Sequence, residues 1–479
     1  MNKPNSLRKT KIVATIGPAS DSPEVLKEMI AAGMNVARLN LSHGSFEEHQ
    51  ARLDRIRETA NQVGVPMAIM VDTRGIEVRC GKLEQGPVEL VSGASFILHT
   101  DGRTGSSDGV SVTYKNLPGE VAPGTLILLD DGAIELEVTS VTSDDVICQI
   151  IHGGLLGEHK SVNLPDTELA VSAVSPEFRD DIVREINFAA DNDVDYLAAS
   201  FVQSAEDIHR IRDIFLESER GTPIIAKIEN RAGIRNLEDI VKAADGIMVA
   251  RGDLGVELPL AEVPGYQKKI IRTTVMNGKP VITATEMLAS MERNPKPTRA
   301  EASDVANAIL DGTSAVMLSG ETAIGKYPVQ AVRTMSELAQ RAEASLAEYG
   351  YLQKTRMDPV NIIPEVISQS AVNMAEILQA AVIISLTETG FTSRLISKNR
   401  PYCPIVAVTY SQEVARRLSM NWGVIPLLYQ GDSDDNLKLE FAVSRARELG
   451  YIAAGDVIVV TAGSRHLVGS TDLIRVLSV

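Results

Sequence analysis

Residues 224–255 read IIAKIENRAGIRNLEDIVKAADGIMVARGDLG. Two short apolar runs, IIAKIEN and GIMVARGDLG, each end in charged residues, with a helical stretch between them. Five further runs repeat the pattern in the first two-thirds of the chain: NVARLNLSHG (35–44), AIMVDTRG (68–75), YLAASFVQS (196–204), VITATEM (281–287) and AVMLSGETA (315–323). Short β-branched runs bounded by turn residues and separated by helices predict buried parallel strands. Lys11–Thr15 supplies a strand before them. The expected fold class is α/β, a (β/α)₈ TIM barrel, in which residues just past the strand ends build the site. Those positions hold Arg38, Asn40, Ser42, Asp72, Thr73, Lys227, Glu229, Arg251, Asp253 and Thr285. Such a set offers oxygen ligands for metals and cations for an anionic substrate, which predicts an enzyme.

Working outward, the first helix is expected over DSPEVLKEMIAAG, with Asp21 or Ser22 as N-cap, Pro23 at its first position and Gly33 as its stop. The second and third strands are read as Asn35–Leu39 and Met67–Val71. From about 76 the texture changes to VELVSG, SFILHT, GVSVTY, TLILLDDGAIELEV and VICQII, with DDG and SDD turns and no expected helix. This predicts an inserted all-β barrel above the open end of the main barrel, where a lid belongs. Strand–helix alternation resumes near a helix start at Ser175–Pro176 and runs to a long helix ending near 345. A polar connector, YLQKTRMDPVN, leads to a third unit with strands AAVIISL, PIVAVTY and DVIVVTA, an open α/β sheet. The expected division is 1–73 with 170–346 for the barrel, 76–168 for the insertion and 358–479 for the third unit.

With 479 residues the chain exceeds one core. Its 44% hydrophobic and 23% charged content is ordinary for a globular protein. No apolar stretch reaches the ~18 residues of a membrane span, and the start passes from a basic stub straight into a strand, so a cytoplasmic protein is expected. Cys80, Cys148 and Cys403 are too scattered for a disulfide framework or a CxxC metal site and read as small core residues. A net charge of −16 disfavours nucleic acid and anionic lipid as partners. It also requires clustered cations around any phosphorylated substrate; Arg38, Arg74, Arg79, Lys227 and Arg251 are the candidates.

Lys227 and Glu229 lie two apart, so an extended strand turns both to one face. They read either as a surface ion pair or as site residues; inside a barrel there is no solvent face, and two charges there need partners. Glu229 with Asp253 makes a pair of hard oxygen ligands suited to Mg²⁺. Gly252 sits at an expected helix N-terminus whose amides suit a carboxylate. Arg38, Asn40 and Ser42 alternate on one face, and with Asp72 and Thr73 they offer a monovalent-cation cage; for Asn40 and Ser42 turn chemistry is the competing reading. Thr285 alone reads as a structural strand threonine. Asp304, Asn307 and Asp311 share a helix face and read as structural. His43 reads equally as a nucleotide contact or a turn residue. In the third unit Thr387, Thr389, Gly390, Thr392 and Ser393 form either a phosphate cradle or an ordinary capped turn, with GSRHLVGSTD (463–472) as a second loop. Trp422 is expected in the core of that unit.

TKIVATIGPAS, NVARLNLSHGS, LLDDGAIELEV, SVNLP, AKIEN, MVARGDLGVELP, VITATEML, NPKPTRAEASDVANAILDGTSAVMLSGETAIGKYP and GDVIVVTAG, in this order, resemble the pyruvate kinase family along the whole chain. The resemblance implies a barrel, an inserted β-barrel lid and a C-terminal α/β effector domain. It implies phosphoryl transfer from phosphoenolpyruvate to ADP, giving pyruvate and ATP, in a homotetramer with a possible phosphorylated allosteric activator. Carried over, Glu229 and Asp253 hold Mg²⁺ (or Mn²⁺), and Asn40, Ser42, Asp72 and Thr73 hold K⁺, with Glu77 at the position tied to K⁺ dependence. Lys227 and Arg38 contact the phosphoryl group, Gly252 and Asp253 amides the substrate carboxylate, and Thr285 the enolate. Arg79, His43 and Lys160 contact nucleotide. The family run Asp-Thr-Lys-Gly-Pro-Glu reads Asp72-Thr73-Arg74-Gly75-Ile76-Glu77 here, and Phe391 stands where an arginine is frequent. The rival enzyme is another Mg²⁺-dependent barrel for enolpyruvate-type substrates, a lyase or mutase. A Schiff-base aldolase on Lys227, or a sensor with a dead barrel, fits less well.

Overall fold

The computed structural model describes residues 8–75, 78–165, 167, 179–217, 221–352, 363–463 and 471–479. Eight parallel strands close into a barrel: Lys11–Thr15, Val36–Asn40, Ala68–Asp72, Tyr196–Ala199, Ile224–Ile228, Gly246–Ala250, Val281–Ala284 and Ala315–Leu318. The second and third strands end one residue later than the sequence pattern suggested. Asn40 pairs with Asp72 in register, and the Leu41 amide donates to the Asp72 carbonyl, so pairing extends into the polar residues.

Helix ends follow the local chemistry. Ser22 caps Pro23–Ala32 through the Val25 amide, and Gly33 ends it at φ 118°, a conformation that costs glycine little. Ser45 with Glu48 and Thr298 with Glu301 form capping boxes. The Ser175–Pro176 helix start lies outside the described residues; the helix is described over Arg179–Asp191.

The strand period of two organises the barrel interior. Val36, Ala68, Met70, Tyr196, Ala198, Ile225, Met248 and Ile282 fill the lumen as one buried cluster. Two residues further along the same strands stand Arg38, Asp72, Ser200 and Lys227. Each strand therefore passes from apolar lumen to polar mouth without changing face.

The inserted unit contains a six-stranded sheet and a two-stranded sheet, joined to neighbouring segments by isolated bridges such as Arg79 with Ser161 and Cys80 with Val112. It also contains one short helix, Leu117–Glu120, which the strand-like composition concealed; Pro118 near its start favours the turn. The third unit is a five-stranded sheet in which Thr471–Ser478 runs antiparallel and the other strands parallel.

This third unit closes the foot of the barrel. Met420 completes the lumen cluster from below. Lys11 donates to the Val424 carbonyl at 2.6 Å, Tyr196 to the Arg417 carbonyl at 2.7 Å, and Arg416 pairs with Asp195 at 2.8 Å. Trp422 belongs to this junction rather than to the third unit's own core: it joins the barrel's packed cluster, with Arg400 4.8 Å from its ring centre. Among the described residues no helix is long and apolar enough to cross a membrane.

Candidate active site

At the mouth of the barrel, charges from four strands meet out of water. Asp72 is fully buried and Glu229 nearly so. Lys227 lies 3.1 Å from Asp72 and 2.8 Å from Glu229, and donates to Ser200 at 2.6 Å. Arg38 binds the other Asp72 oxygen at 2.7 Å and the Thr15 hydroxyl at 2.9 Å. The Phe201 amide donates to Glu229. Burial alone would lower the Lys227 ammonium, but Asp72 and Glu229 more than offset it and hold its pKa above the ordinary value. Burial likewise opposes ionisation of Asp72, yet Arg38 and Lys227 keep that carboxyl below its usual range. Glu229 goes the other way. Burial raises it, Lys227 pulls it back, and Asp253 adds repulsion.

Arg38 and Lys227 thus face three carboxylates, Asp72, Glu229 and Asp253. A buried site with an excess of negative charge favours a cation. Among the described residues no group of three His, Cys, Asp or Glu forms a metal cage. Two carboxylates with substrate oxygens and water is a donor set that Mg²⁺ commonly uses. Asn40 pairs with Asp72 across the strands, and its side chain accepts from the Ser42 amide at 3.2 Å, a turn contact.

The sixth and seventh strands meet through Thr285. Its hydroxyl accepts from the Gly252 amide at 2.8 Å and donates to the Ala284 carbonyl at 2.7 Å. Gly252 stands in the first turn of the helix Arg251–Glu257, as expected. Thr285 adopts φ 63°, unfavourable for a β-branched residue, and Phe201 on the fourth strand's exit adopts φ 54°. Strained backbone of this kind clusters at functional sites.

Arg79, Lys160 and Asn163 from the insertion and Asp253 and Glu257 from the barrel line a cleft of about 440 Å³. Lys160 pairs with Asp130 at 2.8 Å, and Arg79 donates to the His159 carbonyl. His43 is exposed and does not line this cleft; its carbonyl accepts from the His49 ring. Arg74 and Arg251 do not join the central cluster. Arg74 binds Glu185 and the Leu41 carbonyl, while Arg251 clamps Asp304 and the Ala284 and Thr285 carbonyls. Glu77 lies outside the described residues.

Sequence reasoning missed Ser200, Thr15 and Gly75. Ser200 follows the fourth strand with the same parity as Asp72 and Lys227, and that parity was the available signal. Gly75 has φ 72°, and a Cβ there would lie 2.5 Å from both the Ser200 side chain and the Phe201 ring. In the third unit, Thr387 accepts from the Gly390 amide, Thr392 meets Thr471, and Ser393 donates to Ser385. Thr387 thus closes the turn, while Thr392 and Ser393 tie it to the strands that carry Thr471 and Ser385. Residues 464–470 of the second loop lie outside the described residues.

A family profile described as "Pyruvate kinase, barrel domain" matches residues 7–332, and "Pyruvate kinase, alpha/beta domain" matches 365–477. Proteins named pyruvate kinase are similar along the chain: one from Bacillus licheniformis at 46% identity over 473 residues, one from Geobacillus stearothermophilus at 46% over 474, and one from Staphylococcus aureus strain MRSA252 at 45% over 479. Each comparison covers 98% of this chain and 80% of the relative. With both profiles matched, and a barrel whose strand ends gather the charges described, the chain belongs to the pyruvate kinase family.

Proposed function

We propose that the buried cluster around Lys227 is the phosphoryl-transfer site. The family reaction takes the phosphoryl group of phosphoenolpyruvate to ADP, giving pyruvate and ATP, and this chain is such a phosphotransferase of glycolysis. In our reading Lys227 and Arg38 hold the group in transfer, and the Gly252 and Asp253 amides receive the substrate carboxylate. For the Gly252 amide this means exchanging its present partner, the Thr285 hydroxyl. Thr285, released, then stands beside the enolate and takes part in its protonation through water. Arg79 and Lys160 contact nucleotide across the cleft, with His43 as a further contact. Glu229 and Asp253 hold Mg²⁺ or Mn²⁺, and Asn40, Ser42, Asp72 and Thr73 hold K⁺.

Phosphoryl transfer needs in-line positioning and charge neutralisation more than covalent catalysis. When bound, the cations supply positive charge against the oxygens of the group in transfer. The chain's own residues do the rest: Asp72 fixes both Arg38 and Lys227, and Ser200, itself beside Asp72, also holds Lys227. The inserted unit, 76–168, is read as a lid that excludes water from the barrel formed by 1–73 and 170–346, with 358–479 as an effector unit. A cytoplasmic homotetramer with a phosphorylated activator completes the reading.

The observation that carries it is the Arg38–Asp72–Lys227–Glu229 chain of contacts at the barrel mouth. A coupled assay with phosphoenolpyruvate, ADP, Mg²⁺ and K⁺ tests it, with ATP as readout and a several-fold rise on adding K⁺ expected. Absence of ATP, with carbon–carbon or carbon–phosphorus products instead, supports the lyase or mutase.

A further inference from the structure

The third strand leaves the barrel through Asp72, Thr73 and Arg74. The peptide unit joining Thr73 to Arg74 is held at both edges. Its carbonyl accepts from the Ser200 hydroxyl at 2.7 Å, and its N–H donates to a Glu185 carboxylate oxygen at 3.1 Å. A trans peptide is planar and points its C=O and N–H in opposite directions, so the two contacts fix one rigid plane. Its Thr73 end is also pinned to the fourth strand: the Thr73 amide donates to the Ala198 carbonyl, and the Ser200 amide to the Thr73 hydroxyl. The freedom left is a tilt of the plane, and Glu185 opposes it.

Glu185 itself is poorly placed for stability. It stands on the helix Arg179–Asp191, buried like its neighbour Ile186. Its ion pair is with Arg74, half-exposed and 3.3 Å away. Burial pushes its pKa up to about 7, with Asp181 and Asp72 adding repulsion and the Arg74 amide and guanidinium pulling it back. A carboxylate kept from water with so little counter-charge costs stability that an apolar side chain would not. An apolar side chain could not, however, accept from the Arg74 amide.

We infer that Glu185 is a positioning residue for Lys227, acting through the Thr73–Arg74 peptide and Ser200. With the plane fixed, the Thr73 carbonyl takes the Ser200 hydroxyl hydrogen, and the Ser200 oxygen is left to accept from the Lys227 ammonium at 2.6 Å. A hydroxyl that donates well also accepts better, so the two bonds reinforce each other. The hydroxyl has a second acceptor within reach, Asp72 Oδ1 at 3.4 Å, and that same oxygen lies 3.1 Å from Lys227. Once the peptide tilts, Ser200 turns to Asp72 and competes with Lys227 for it. The ammonium then leans toward Glu229, away from its place between the two carboxylates. The chain of contacts stands on geometry; its effect on the reaction rests on the role given to Lys227 above.

A mutant cycle of Glu185→Met and Ser200→Ala tests it on the full chain, reading kcat, KM and melting temperature at saturating Mg²⁺ and K⁺. Glu185→Met is expected to lower kcat roughly fivefold or more with little change in KM for ADP. Glu185→Gln, which keeps an acceptor for the Arg74 amide, is expected to recover most of that loss. In the Ser200→Ala background Glu185→Met is expected to cost less than about twofold further, because its route to Lys227 is already cut. The two losses of melting temperature should likewise combine to less than their sum. Glu185→Ala, equally unable to accept, takes the place of Glu185→Met if that variant does not fold. Kinetic losses that multiply in full, or an equal fall in the Gln and Met variants, overturn the inference. So does a wild-type kcat in Glu185→Met beside a low one in Lys227→Met. Coupled melting temperatures with wild-type kcat in both of those variants uphold the positioning and remove Lys227 from the reaction instead.

Discussion

The Lys227 ammonium donates to the Ser200 hydroxyl at 2.6 Å, and that hydroxyl donates in turn to the Thr73 carbonyl at 2.7 Å. Ser200 carries no charge and ends an apolar run, yet it holds the lysine alongside Asp72 and Glu229. The third, fourth and fifth strands are thereby tied together at the barrel mouth, where a long flexible side chain would otherwise wander among carboxylates.

Ser200→Ala removes one partner of a buried ammonium, an interaction worth about 1.5–3 kcal/mol. The expected result is a fall of roughly ten- to a hundredfold in kcat/KM with an unchanged circular dichroism spectrum. Loss of stability with full activity per folded molecule would make Ser200 a packing residue only.

Lys227→Met leaves Asp72 and Glu229 facing each other with one cation fewer. Breaking a buried ion pair on one side costs about 3–5 kcal/mol, so the melting temperature is expected to drop. If Lys227 holds the phosphoryl group as proposed, its loss reduces kcat by about 10²–10³-fold. Lys227→Arg keeps the charge but not the geometry, and should restore more of the stability than of the rate. Equal recovery of both, measured by calorimetry and by the coupled assay, would contradict a positional role.

Much of this was legible because strand parity links composition to direction. Val36 to Arg38 and Ile225 to Lys227 are two-residue steps, so charge at the second position implies a polar barrel mouth. What parity cannot show is partnership over long separations. Arg251 follows its strand like the others but turns to Asp304, 53 residues later, and leaves the cluster. Trp422 was misplaced for the same reason, since its neighbours Arg400 and Lys9 come from another loop and from the chain's beginning. Ser200 was overlooked because a lone serine after an apolar run looks like turn punctuation.

Met420→Ala tests the closure of the barrel foot. Met420 is fully buried in the lumen cluster, so truncation leaves a cavity costing about 2–5 kcal/mol. The site at the opposite mouth keeps its contacts, and activity at saturating substrates and low temperature is expected to persist. A lowered melting temperature with near-normal kcat checks this. An unchanged melting temperature would mean that the third unit merely rests against the barrel.

The same junction should respond to pH through Lys11, whose ammonium donates to the Val424 carbonyl. Burial, reinforced by Arg8 and opposed by Glu343, lowers its ammonium from 10.5 to about 7. With a folded value below the unfolded one, the unfolded chain binds more protons between those limits, so stability rises with pH across the window. The favourable contribution is complete above 10.5 and disappears as pH falls through about 7. Wild-type protein is therefore expected to lose melting temperature between pH 9 and pH 6 relative to Lys11→Met, which has no proton to take up there. Parallel curves for the two proteins across that range would show that Lys11 does not titrate in the folded state and that its burial is compensated by charge not assigned to it here.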